Sequence, residues 1–287
     1  MNRKVQIAGV PEHFNFPWHL AMDEGAFEQR GINLEWTDVP EGTGRMVELL
    51  NSGKADIAIL LTEGYVRAVS EGLEALIAQE YIATPLLWGV HVDAQSSFTT
   101  QAELVNKKAA ISRYGSGSHL MAFVHAKDMA WPQEALQFEV VNTLDGAVQA
   151  LRDKQADYFM WEKFTTQPLV DQGVFRRVGV CPTPWPCFVV VARTDFARDE
   201  PGVLADVLEI INGYTSEFKW IPSIDRTLSN HYKQTLADIR EWLSLTRWSQ
   251  EQIDEETLVK VIDTLNELNL LSNKLPAENM LWNPRNL

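Results

Sequence analysis

Two carboxylates stand just past short apolar runs in this chain: Glu63 after Ile57–Leu61 and Thr62, and Glu162 after Tyr158–Trp161. A carboxylate accepts hydrogen bonds and attracts cations. Two of them facing one small molecule would select amino or amidine groups and repel a nitrate or sulfonate. Each also has a structural alternative, with Glu63 capping the next helix or pairing with Arg67, and Glu162 pairing with Lys163. The richest polar segment is Ser112-Arg113-Tyr114-Gly115-Ser116-Gly117-Ser118-His119. Its glycines let a ligand approach backbone N–H groups closely, and a helix starting there would present its free N–H groups to a polar edge. A helix cap accounts for Ser118 alone but not for the whole run. Gly42-Thr43-Gly44 offers a shorter form of the same device, or a simple flexible turn.

Aromatic side chains add a second kind of contact. In His13-Phe14-Asn15-Phe16-Pro17-Trp18, Asn15 reads first as a helix cap. So short a loop is not expected to bury both Phe16 and Trp18, so one of them is expected to offer a stacking face to a flat ligand. Trp161 and Trp185 are further stacking candidates, Trp185 lying in the stiff loop Pro182–Pro186 between Cys181 and Cys187. A bridge between those cysteines needs suitable geometry, and free thiols are expected in a cytoplasmic chain. His13/His19 and His119/His125 are each six apart, which on a helix points them to different faces, unlike an i, i+4 metal pair. Neither G-x-S-x-G nor a nucleotide-binding glycine motif occurs, and no metal or cofactor is expected. His13 or His119 acting as a general base with Glu162 keeps an enzymatic alternative open.

The elements that must position these residues follow an α/β alternation. Val5–Gly9 reads as a strand, about Trp18–Gln29 as a helix ending at Gly31, Leu34–Val39 as a strand, a helix through Leu50, and Ile57–Leu61 as a fully buried strand. The order repeats with strand Ala109–Ser112, helix His119–Met129, strand Phe138–Asn142, helix Asp145–Arg152 and strand Tyr158–Trp161. The offset is nearly constant: His19-Leu20 lies 100 positions before His119-Leu120, and Asp56 lies 101 before Asp157. Two similar lobes result, residues 1–90 with 190–287 and residues 91–189. Strands Leu86–Val92 and Phe188–Ala192 are expected to carry the two crossings. Helical spacing over Val203–Trp220, Leu236–Leu245 and Leu258–Leu271 predicts a helical tail packed on the first lobe. Asp56 and Asp157 fall at strand starts, away from the site, as structural turn residues.

The 287 residues carry 39 acidic against 25 basic side chains, a net charge of −14. That balance argues against a nucleic-acid partner, whose phosphates need a basic face. The length permits a large core without disulfide staples. The run after the two N-terminal basic residues is only strand-length and is broken by Gly9 and Pro11, so neither a secretory segment nor a membrane span is expected. The expected place is the cytoplasm, or the periplasm if a leader has been removed.

Glu24-Gly25-Ala26-Phe27-Glu28-Gln29-Arg30-Gly31-Ile32-Asn33-Leu34 and Gly53-Lys54-Ala55-Asp56-Ile57-Ala58 resemble well-marked segments of the type II solute-binding proteins, the second matching their G-x-x-D-x-A. The resemblance is to the branch serving nitrate, sulfonate and thiamine-pyrimidine importers, together with pyrimidine-synthesis relatives. The iron-binding cysteine run of those relatives is missing here. What the resemblance implies is two Rossmann-like lobes around a central cleft, closing by a hinge on a small molecule, with a transporter permease as a possible partner and a monomer as the working form. The ligand expected is a polar heteroaromatic amine of thiamine-pyrimidine type. A cytoplasmic enzyme or ligand sensor on the same scaffold is the alternative.

Overall fold

The computed structural model describes residues 3–273 and 275–283. Ends of the expected lobes at residues 1–2 and 284–287 lie outside them. Two compact units form, one from Met1–Thr84 with Trp185–Leu287 and one from Pro85–Pro184.

In chain order the first unit contributes β1 (Arg3–Gly9), α1 (Phe16–Asp23), α2 (Ala26–Gln29), β2 (Ile32–Asp38), α3 (Thr43–Asn51), β3 (Ile57–Leu61), α4 (Thr62–Ser70) and β4 (Ala75–Ile82). The second unit follows with β5 (Leu87–Asp93), β6 (Lys108–Ile111), α5 (Gly117–Asp128), β7 (Gln137–Val140), α6 (Leu144–Arg152), β8 (Tyr158–Glu162), α7 (Gln167–Asp171) and β9 (Phe175–Pro182). The chain then returns to the first unit as β10 (Phe188–Arg193) and five helices: α8 (Thr194–Asp199), α9 (Pro201–Glu217), α10 (Ile224–Tyr232), α11 (Leu236–Leu245) and α12 (Glu255–Glu267).

Both sheets have one design. Their orders are β2-β1-β3-β10-β4 and β7-β6-β8-β5-β9. In each, three parallel strands are followed by two that run antiparallel to their neighbours. All five residues of β3 are buried, as expected of a strand covered on both faces.

Several expectations need correction. The helix anticipated over 18–29 is two helices, because Gly25 takes φ +67 and breaks the path. The strands expected to make the crossings lie inside the sheets as β5 and β10, and the chain leaves each unit just before them, at Thr84/Pro85 and Pro184/Trp185. The unit boundaries therefore fall five or six residues before the positions read from sequence. Strands β4 and β9 and helix α10 had no sequence signal that stood out. The C-terminal helices all belong to the first unit. No described helix is long and apolar enough to cross a membrane.

Candidate functional site

In each unit the loops at the carboxyl ends of the parallel strands carry the candidate residues, the end at which ligands bind in open α/β sheets. In the first unit β1 ends at Gly9 and the chain turns through Asn15 into α1. Asn15 does not cap that helix. Its Nδ2 donates 2.8 Å back to the Val10 carbonyl, closing the loop on itself, while its buried Oδ1 has no hydrogen-bond partner. The competition of side-chain amides with local backbone explains the lost cap.

Phe16 and Trp18 are both buried, at 7% and 0% exposure, contrary to expectation. Phe16 meets Phe218, His231 and Tyr232 from the C-terminal helices, and Trp18 packs among Phe27, Trp36 and Tyr81. Trp18 is therefore a core residue with no face left to stack on a ligand. His13 lies under the same roof, its ring 4.2 Å from that of Tyr232 and 5.0 Å from that of Trp242, and burial pulls its pKa down to about 4.

Gly42 precedes α3 with φ +79 and makes no side-chain cap. Thr43 is buried: its Oγ1 accepts from Leu61 N at 3.3 Å, and its methyl group lies where a Cβ on Gly64 would clash. The threonine thus locks α3 onto the end of β3. Thr62 Oγ1 donates to the Pro186 carbonyl at 2.5 Å and Thr62 N to the Cys187 carbonyl at 3.0 Å, both ties to the strand entering β10.

Glu63 sits in the first turn of α4 and is fully buried. One oxygen accepts from the Trp185 indole N–H at 2.8 Å; Oε1 is buried without a partner. Burial pushes the carboxyl up to about 7, against the pull of the Trp185 hydrogen bond. Trp185 is buried and acts here as a donor to Glu63.

In the second unit the 112–119 turn bonds largely to itself. Ser116 is the N-cap of α5, its Oγ accepting from His119 N at 3.4 Å and donating to the Arg113 carbonyl at 2.7 Å. Ser118 Oγ accepts from Ser112 N at 3.0 Å. Gly115, at φ +75, donates its N–H to His119 Nδ1 at 3.0 Å, which makes Nδ1 an acceptor and assigns the ring proton to Nε2. What remains for a ligand is the first-turn N–H groups of Gly117 and Ser118, which have no acceptor within the helix. Tyr114 is 63% exposed and stands edge-on to His119.

Glu162 is the last residue of β8 and is buried. Its Oε2 accepts from Thr165 N at 2.6 Å, and burial raises its pKa although Arg177 pulls the other way. Glu162 and Glu63 do not occupy equivalent positions in the two units. The strand registers put Trp88 opposite Glu162 and Phe188 opposite Leu61, so the counterpart of Glu162 is Leu61. Trp161 stacks on Phe159 and stands edge-on to Trp88, part of the second unit's core. Cys181 and Cys187 are both buried thiols. Among the described residues no group of three or more His, Cys, Asp or Glu could hold a metal ion.

Sequence reasoning missed Tyr81, whose hydroxyl donates to the Phe14 carbonyl at 2.6 Å, and the second donor to that carbonyl, Trp248 Nε1 at 3.1 Å. Both fix the loop carrying Asn15, and neither has a local signal. Asp56 and Asp157 are the turn residues expected, accepting from Gln6 N and Lys108 N at 2.9 Å each.

Comparison with known proteins accords with this arrangement. A family profile described as Ca3427-like PBP matches residues 88–181, inside the second unit. The Candida albicans CA3427 gene product, described as having the generic periplasmic binding protein fold, is 27% identical with a TM-score of 0.89 over 97% of this chain and 95% of that one. The alkanesulfonate-binding protein SsuA from Xanthomonas axonopodis pv. citri, bound to MOPS, is 16% identical with a TM-score of 0.82 over 97% and 98%. The ligand-binding component of an ABC-type import system from Staphylococcus aureus, with zinc bound, is 12% identical with a TM-score of 0.75 over 98% and 96%. No curated protein matches the chain. The chain has the type II periplasmic-binding-protein fold.

Proposed function

We propose that this chain is a receptor for a small polar ligand carrying N–H donors, a heteroaromatic amine of thiamine-pyrimidine type, and that it serves an ABC-type importer. The observation that carries the ligand class is a pair of orphaned acceptors. Asn15 Oδ1 and Glu63 Oε1 are both buried without partners, just past the ends of the adjacent strands β1 and β3. Leaving a buried acceptor unsatisfied costs about 1–3 kcal/mol, and an N–H donor brought by a ligand to either atom would recover that cost. Within the second unit by itself, Glu162 is likewise a buried carboxylate, and Gly117 and Ser118 open α5 with first-turn N–H groups free for an acceptor. The importer role is supported by the fold neighbours, two of which are described as an alkanesulfonate-binding protein and an ABC-import component. Sulfonates themselves suit the site poorly, since a sulfonate group brings no N–H donor to the two unpartnered acceptors.

Thermal melting against aminopyrimidines, thiamine, taurine, nitrate and polyamines tests the reading. A ligand at 100 times its Kd stabilises by about 2.7 kcal/mol, which is several degrees at roughly 2–4 °C per kcal/mol. Aminopyrimidines should shift the melt and taurine and nitrate should not. Glu63→Gln should weaken the active compound by about 1.5–3 kcal/mol, the scale of a charged hydrogen bond. A shift with taurine or nitrate alone, or an affinity indifferent to Glu63→Gln, overturns it.

A further inference from the structure

At the end of each sheet opposite the candidate site, the two units repeat one turn almost residue for residue. In the first, α3 runs out through Ser52 and Gly53, and Asp56 precedes β3. In the second, α6 runs out through Asp153 and Lys154, and Asp157 precedes β8. The backbone bonds correspond: Gly53 N to Leu50 O and Lys54 N to Leu49 O in one, Lys154 N to Leu151 O and Gln155 N to Ala150 O in the other. Gly53 and Lys154 share a left-handed conformation, φ +67 and +59.

The side chains then diverge. In the first unit the register of β10 on β3 brings Arg193 opposite Asp56; Arg193 N donates to the Asp56 carbonyl at 3.0 Å and its guanidinium lies 3.5 Å from the carboxylate. That guanidinium lies over Gly53, where a Cβ would come within 2.6 Å of Nη1. In the second unit the strand in that place is β5; its ladder with β8 ends at His91 opposite Phe159, and two residues further on Asp93 and Asp157 line one cavity. A carboxylate thus stands where the first unit has its arginine, and a lysine stands where it has its glycine.

The result is a cavity of about 850 Å³ lined by Asp93, Asp157, Arg152 and Lys154 above an apolar floor that includes Leu151 and Ala156. None of the four charged side chains is in an ion pair among the described residues. Ser96 also lines the cavity, and its hydroxyl is buried without a partner. The loop forming this wall is set in advance, because Arg176 donates to the carbonyls of Ala94, Ser96 and Phe98 at 2.7, 3.1 and 2.9 Å. Pre-organisation of that kind lowers the entropy lost on binding.

We propose that this cavity binds a free guanidino amino acid, its guanidinium held between Asp93 and Asp157 as Arg193 is held by Asp56, and its carboxylate meeting Arg152 and Lys154. Guanidinium–carboxylate pairing is planar and charge-assisted, and the zwitterion matches two anions with two cations. The site is separate from the strand-end loops of the proposed receptor, since a strand's length divides Asp157 from Glu162.

Titration calorimetry of the intact protein with L-arginine tests it. L-arginine should bind, and agmatine, which lacks the carboxylate, should bind roughly tenfold more weakly or worse. Asp93→Asn should cost about tenfold or more in arginine affinity. Asp93→Arg reproduces the first unit's arrangement, so it should abolish binding while leaving the melting temperature unchanged or raised. No arginine binding at millimolar concentration overturns the proposal, as does undiminished binding in Asp93→Arg and Asp93→Asn. Agmatine binding as tightly as arginine overturns the role given to Arg152 and Lys154. Arginine binding lost in Glu63→Gln but kept in both Asp93 variants places the ligand elsewhere and overturns it too.

Discussion

The loop after the first parallel strand does the same topological work in both units, yet its chemistry differs completely. In the first unit it is His13-Phe14-Asn15, all buried beneath Tyr232, Trp242 and Trp248 of the C-terminal segment. In the second it is Arg113-Tyr114-Gly115-Ser116, where Tyr114 stands in solvent and serine hydroxyls satisfy the backbone. Only the first unit has the five helices after β10 to cover it. The repeated βαβ path therefore fixes where a loop goes, and what lies above the loop fixes its side chains. The roof removes water from the first loop, so any polar atom there without an internal partner, as at Asn15 Oδ1, bears the full cost of burial, whereas atoms of the open loop can turn to water.

The largest test of this contrast removes the roof. Trp242 is 1% exposed and touches His13, Phe14 and Trp248. Trp242→Ala should cost about 3–5 kcal/mol, whereas Tyr114→Ala should stay within about 0.5 kcal/mol. Chemical denaturation of both variants checks this, and similar losses would end the distinction between a covered and an open loop.

Next in size is the pH dependence of the covered loop. His13 titrates at about 4 when folded against 6.5 when unfolded. Between those values the unfolded chain binds more protons, so stability falls as pH drops from 6.5 toward 4, by about 3 kcal/mol at 1.36 kcal/mol per unit. Glu63 acts in the opposite sense. Its folded pKa, about 7 against 4.5, makes the folded chain hold the extra proton, so stability falls as pH rises from 4.5 to 7. Denaturation of His13→Phe across pH 4–7 should show the acid-side loss reduced. His91 and His125, pulled down to about 3 and 4 by burial in the second unit, contribute an acid-side loss that this variant leaves in place. An unchanged profile would mean that the loop opens before His13 titrates.

Local pattern made the repeat legible, because each copy's three parallel strands and main helices bury one face on their own terms. Ile57–Leu61 is a continuous apolar run, and the 101-residue offset of Asp56 and Asp157 survives into matching bonds, each carboxylate accepting from a backbone N–H of the neighbouring strand. The antiparallel edge strands were not legible. Strand β4 carries Gln79 and Glu80 in mid-run, and β9 carries Arg176 and Arg177, charges that here hold neighbouring loops. At the candidate site the residue types were readable but their surroundings were not. Phe16 is buried by Phe218 and Tyr232, some 200 positions away, and no local signal announces such a contact. Glu63 is orphaned at Oε1 only because its other oxygen is taken by Trp185, a partner 122 residues distant.

The smallest expected effects come from the matched turns at the strand starts, where one conformation is held by glycine in one unit and lysine in the other. A non-glycine residue in the left-handed region costs roughly 1–2 kcal/mol. Glycine's greater freedom in the unfolded chain takes back about 0.4–1 kcal/mol of that. Lys154→Gly should therefore stabilise the protein by only about 0.5–1 kcal/mol. The reverse change, Gly53→Lys, adds a Cβ 2.6 Å from Arg193 Nη1, so the guanidinium must leave Asp56 as well. The combined loss should reach about 2 kcal/mol, the ion pair itself contributing at most about 1 kcal/mol at its partial exposure. Melting of the two variants measures the asymmetry. Equal and opposite shifts would mean that the arginine moves aside freely, and that the two turns differ in backbone strain alone.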